Sequence, residues 1–113
     1  MNVLNVREII DTEFAVSFED GQKVYSLIKN EINHNGKVIL SFEGVSIVIP
    51  LFLNSVLRSI PIDFENSQIS DLVIFEEMSE NDRKIADIVI GEIYKYHRNP
   101  EAYTAAYKEM LES

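Results

Sequence analysis

Between Lys37 and Ile60 the chain reads KVILSFEGVSIVIPLFLNSVLRSI, two apolar runs joined by a Glu-Gly turn and closed by a proline-led amphipathic segment. A stretch this apolar must form the interior of any fold, and the remaining residues must cover it. Val38 to Phe42 is rich in β-branched residues and broken only by Ser41, the pattern of a central strand covered on both faces. Glu43-Gly44 supplies a turn, and Val45 to Ile49 is again apolar before Pro50. The fixed φ and missing N–H of proline suit the first position of a helix. From there Phe52, Leu53, Val56, Leu57 and Ile60 recur at helical spacing, and Pro61 is expected to stop the helix. Glu43, Gly44 and Pro50 interrupt the window, and Asn54 and Arg58 follow on the polar side of the helix, which argues against a membrane span.

The flanking sequence supplies the cover. Met1 to Val6 reads as an edge strand and Glu13 to Val16 as a second short strand. Ser17, with Asp20 three residues on, has capping-box spacing, and Glu19 and Asp20 complement the helix dipole. Val24, Leu27, Ile28 and Ile32 then form a helical stripe that ends at Asn33-His34-Asn35-Gly36, with Gly36 as a left-handed cap. Asp63 to Ser70 reads as a loop or a helix end, and Asp71 to Phe75 as a strand. Ser79 and Asp82 repeat the capping-box spacing at the head of a helix with Ile85, Ile88, Val89, Ile93 and Tyr96 on one face and Ile90 off it. Pro100 opens a last helix carrying Tyr103, Tyr107 and Met110 or Leu111. Alternation of strand and helix predicts a layered α/β domain with parallel pairing. At 113 residues there is room for one core, so residues 1–113 are read as a single domain with 100–113 a helical addition.

Several chemistries find no support. The chain has no Cys, which removes disulfides, thiolate zinc sites and cysteine nucleophiles. Its two histidines, His34 and His97, have no second ligand at metal spacing. There is neither a GxSxG elbow nor a Gly-rich phosphate loop. No catalytic residue, cofactor site or metal site is therefore read. The acidic clusters Glu19-Asp20, Glu76-Glu77 and Glu80-Asn81-Asp82 fall at helix starts or strand ends, where capping accounts for them. Nineteen acidic residues against ten basic give a net charge of -9, which opposes direct binding to nucleic acid. Without a basic region followed by an apolar core near Met1, no signal peptide is read and a cytoplasmic location is expected. Tyr94, Tyr96, Tyr103 and Tyr107 read either as cover for the core or as an interface, the latter implying self-association through the last helix.

The segments SFEDGQKVYSLIKNEI and GKVILSFEGVSIVIPLFLNSVLRSI resemble the bacterial STAS-like domains of unknown function, relatives of the sulfate-transporter and anti-sigma-factor-antagonist domain. The matching motifs are Glu19-Asp20-Gly21, Ser41-Phe42-Glu43-Gly44-Val45 and Phe52-Leu53-Asn54, and the likeness runs from about Val3 to Phe75. It implies a small mixed sheet with helices mainly on one face, and an extra C-terminal helix. It also implies a regulatory, non-enzymatic module that docks a protein such as a histidine-kinase-like ATPase. The helix-start serine that is phosphorylated in the antagonists falls here on Pro50 or Leu51, so that switch is not expected. Ser46, Asn54, Ser55 and Arg58, around the same helix start, are the expected partner-binding residues. An alternative reading is a small acidic inhibitor or antitoxin-like protein that occupies a basic nucleic-acid-binding surface.

Overall fold

A computed structural model describes residues 2–98 of the chain. Strand β1 (Val3–Asn5) leads directly into the short helix α1 (Val6–Ile10), capped by the Asn5 side chain on the Glu8 N–H. Strand β2 (Phe14–Ala15) follows, and Ser17 then caps the N-terminus of α2 (Phe18–Asn35), its Oγ accepting from the Asp20 N–H at 3.0 Å. Gly36, at φ 82°, ends that helix in the left-handed conformation that a Cβ disfavours.

The apolar centre of the chain becomes β3 (Val38–Ser41), β4 (Ile47–Val48) and α3 (Pro50–Leu57), with Pro50 in the first turn. Arg58 caps α3, and Pro61 lies in the first turn of another short helix, α4 (Ile60–Asp63). The proline expected to stop one helix therefore starts the next, as its preset φ allows. A single turn, α5 (Ile69–Leu72), takes up the start of the expected strand, leaving β5 (Val73–Glu76). Helix α6 (Glu80–Arg98) closes the described residues, with Ser79 Oγ accepting from the Asp82 N–H at 3.0 Å. The helix expected from Pro100, with Tyr103 and Tyr107, lies outside the described residues.

β1, β3 and β5 form one sheet in the order β1-β3-β5, so the strand expected at the centre is there. β2 and β4 form a separate two-stranded ribbon. Every pairing is parallel, so the small sheet is not mixed. Parallel neighbours follow from helices intervening between successive strands.

Side chains alternate across the sheet. Val38, Leu40 and Val73 are buried with α2 and α3 in one core, whereas Val3 and Ile74 are exposed and Ile39 is half-buried between them. The central strand is thus fully covered on one face only.

The helical faces depart from expectation in two places. In α2 the buried residues are Gly21, Val24, Tyr25, Ile28 and Ile32, with Leu27 exposed. In α6 they are Ala86, Val89 and Ile93, with Ile85 and Ile90 packed against the core. Ile88 is 66% exposed and Tyr96 also faces outward, so the true face is turned about one residue from the expected stripe.

Polar contacts fix the periphery. The Tyr25 hydroxyl donates to Asp63 Oδ2, and Lys29 Nζ lies 3.5 Å from the same oxygen, holding α4 against α2. Burial, with the adjoining Asp63 carboxylate, pushes the Tyr25 phenol above its ordinary range. Between α6 and the sheet, Arg83 Nη2 donates to the Phe75 carbonyl of β5 at 2.9 Å. Tyr25→Phe is expected to cost about 1 kcal/mol, the net worth of one hydrogen bond. The raised pKa favours the neutral phenol in the folded state, so its stabilisation is present below the unfolded value of about 10 and declines as pH rises above it. Denaturant titrations of wild type and variant at neutral and alkaline pH check both, the gap being expected to narrow at the higher pH.

Candidate functional site

The ribbon and the start of α3 carry the surface that stands out. With a period of two, β2 and β4 turn Ala15 and Val48 into the core and leave Phe14 and Ile47 outside, paired in register. Phe14 is 46% and Ile47 47% exposed. Val16 and Leu51 are exposed as well, while Phe18 and Ile49 are half-buried. Two side-by-side rows result: Phe14, Val16 and Phe18 on one chain segment, and Ile47, Ile49 and Leu51 on the other. The Ile49 N–H donates to the Ala15 carbonyl at 3.2 Å, which keeps the rows together past the last ladder residues. Isolated exposed apolar residues are ordinary, but a run this continuous on a folded surface is not.

Helix α3 extends the strip. Phe52, Leu53, Ser55, Val56 and Leu57 face inward, so Leu51, Asn54 and Arg58, spaced three and four apart, share its outer side. The Arg58 guanidinium lies over the Phe18 ring, 5.0 Å from its centroid, a cation–π arrangement that joins the start of α2 to the end of α3. Ser46 stands at the other end, beside Ile47. It is exposed, donating from Oγ to Glu13 Oε1 at 2.9 Å and from its N–H to the Glu13 carbonyl at 2.8 Å. Ser46, Asn54 and Arg58 thus lie along one outer surface, with Asn54 half-buried.

Ser55 does not join them. It is fully buried where α2 crosses α3, its Oγ donating to the Phe18 carbonyl at 2.6 Å and accepting from Gln22 Nε2 at 3.4 Å. Gln22 Nε2 also donates to the Ser55 carbonyl at 3.0 Å. The crossing is so close that a Cβ on Gly21 would sit 2.6 Å from Ser55 Cβ and 2.9 Å from the Phe52 carbonyl oxygen. A serine fits at this point because it occupies little space and its hydroxyl is bonded on both sides, to the Phe18 carbonyl and to Gln22. The sequence alone does not mark the four apolar residues Phe14, Val16, Ile47 and Leu51 as a surface. For Phe14 and Val16 the signal is the alternation in Phe14-Ala15-Val16-Ser17-Phe18, which becomes informative only once β2 is paired with β4.

Among the described residues no cluster of His, Asp or Glu side chains is arranged to hold a metal ion, and no helix is long and apolar enough to cross a membrane. Residues 20–83, more than half of the chain, match the family of STAS-like domains of unknown function (DUF4325). The chain belongs to that family. The matched segment contains α2 from Asp20 on, β3, β4, α3 and β5, so the Gly21–Ser55 crossing and the outer side of α3 both fall within it. No curated protein and no solved structure matches the chain.

Ser55→Ala is expected to lower stability by about 1–2 kcal/mol, since it removes the hydroxyl that donates to the Phe18 carbonyl and accepts from Gln22. Gly21→Ala is expected to cost more, about 1–3 kcal/mol, by forcing the helices apart. Chemical denaturation midpoints of the two variants check the order, and a neutral Gly21→Ala would show that α2 and α3 are not locked at this point.

Proposed function

We propose that this domain is a non-enzymatic interaction module that docks a regulatory protein on the apolar strip and the outer side of α3. The observation that carries the reading is the continuous exposed run of Phe14, Val16, Ile47 and Leu51, bordered by Asn54 and Arg58. These residues sit on a ladder-paired ribbon and a core-anchored helix, so the surface is preorganised and its ordering costs little on binding. The partner class implied by the resemblance to anti-sigma-factor antagonists is a histidine-kinase-like ATPase or a comparable regulator in the cytoplasm. Pro50 and Leu51 open α3 and carry no hydroxyl, so docking here is not switched by phosphate at the helix start. Ser55, being buried, acts on this surface only by holding α3 in place.

The test compares wild type with Ile47→Ser, Asn54→Ala and Arg58→Ala in retention of proteins from the native lysate at low and moderate salt, with the retained proteins identified by mass. A regulator kept by wild type at both salts is expected to be lost from Ile47→Ser and weakened by about tenfold with the α3 variants, as for residues near the centre of an interface. A retained set made only of basic nucleic-acid-binding proteins, washed off by salt and indifferent to all three changes, would overturn the docking reading in favour of an acidic inhibitor.

A further inference from the structure

The two segments that build the strip, residues 11–20 and 41–57, hold Asp11, Glu13, Glu19, Asp20 and Glu43 and not one Lys or Arg. Glu13 immediately precedes Phe14, and its bonds to Ser46 place it at the head of both rows. Glu19 and Asp20 follow Phe18 in the first turn of α2, and Glu43 lies in the turn that leads to β4. Two arginines approach from outside these segments. Arg58 lies over Phe18, and Arg7 packs its side chain beside Gly44, whose added Cβ would meet Arg7 Cγ at 3.3 Å. The apolar rows are therefore bordered mainly by carboxylates.

From this arrangement we propose that the partner docks an amphipathic helix whose apolar stripe lies along the Phe14 and Ile47 rows and whose flanks carry Lys or Arg. The inference rests on the docking reading above and adds the chemistry of the partner. Charge complementarity selects the basic flanks, since like charges facing across an interface are costly and opposite ones speed encounter. Dimensions select the helix. Phe14 to Phe18 is four steps of nearly extended chain, about 13 Å, comparable with the ~10 Å between residues i and i+7 of a helix. An added strand is the poorer fit, because β2 and β4 are two residues long and the Phe14 N–H already donates to Thr12 Oγ1 at 3.2 Å. A basic amphipathic helix also meets the exposed rows with side chains alone.

The experiment uses the full chain, isotope-labelled, and three synthetic peptides about five helical turns long. One has a Leu stripe at i, i+3, i+4, i+7 spacing with Lys elsewhere, the second has the same stripe with Glu in place of Lys, and the third keeps Lys but has Gln in place of Leu. The Leu/Lys peptide is expected to shift the amide signals of residues 14–18, 47–49 and 51 and to bind at least about tenfold tighter than either control. Glu13→Gln with Glu19→Gln and Glu43→Gln is expected to weaken it severalfold, while the same loss of charge at Glu65, Asp71 and Asp87, on other elements, leaves it unchanged. If the Leu/Glu peptide moves the same signals as strongly, the basic flanks are wrong and the docking surface stands. If the Lys/Gln peptide binds equally well, or the two triple variants lose binding alike, diffuse attraction to an acidic protein replaces the proposal. If no peptide reaches the strip, the proposal fails, and the docking reading is then decided by the lysate variants alone.

Discussion

The crossing of α2 over α3 at Gly21 and Ser55 is the constraint from which the rest of the domain is placed. With no side chain on Gly21, the two helices approach until an added methyl would overlap Ser55. That approach buries Val24 and Ile28 of one helix, and Phe52 and Val56 of the other, completely. It also decides which way each helix faces. Once Ser55 is turned inward to bond the Phe18 carbonyl, Leu51, Asn54 and Arg58 have only the outer side left. A polar contact in the interior thus decides which residues of α3 face outward.

The ribbon has a similar logic. Two strands of two residues each bury little on their own, and they persist because Ala15 and Val48 belong to the main core. The inward demand is met by alternate residues, and the outward ones are then unconstrained by folding. That Phe14, Val16 and Ile47 are nonetheless large and apolar is therefore not explained by stability, which is why the surface supports a binding role. Family membership is consistent with the fold but carries no activity with it.

Much of this was legible in the sequence where the signal was local. Ser17, Gly36 and Ser79 as caps, Pro50 as a helix start and Val38 to Phe42 as the central strand, one residue longer than β3, each depend on neighbours a few residues away. The failures are those in which two local answers are equally good. Pro61 is as suited to a first turn as to a stop. In α6 the set Ile85, Ile88, Val89, Ile93 has the same spacing as Ala86, Val89, Ile90, Tyr94, and alanine announces its burial less strongly than isoleucine. Among the site residues, Asn54 and Arg58 were legible as the polar side of a helix. Ser55 was not, because the close helix approach that needs a small residue there depends on Gly21, thirty-odd positions away.

The Arg83 guanidinium on β5 has a consequence for how these molecules meet one another. The Glu76 carbonyl of β5 accepts the Phe42 N–H just past the end of β3, so the carbonyl of Phe75, one residue earlier, points to the outer edge of the sheet, where Arg83 occupies it. A stray extended segment arriving at that border finds its acceptor already taken and a fixed positive charge in its path. The edge of β5 is therefore a poorer template for a further strand at Phe75 than its open position in the sheet would suggest.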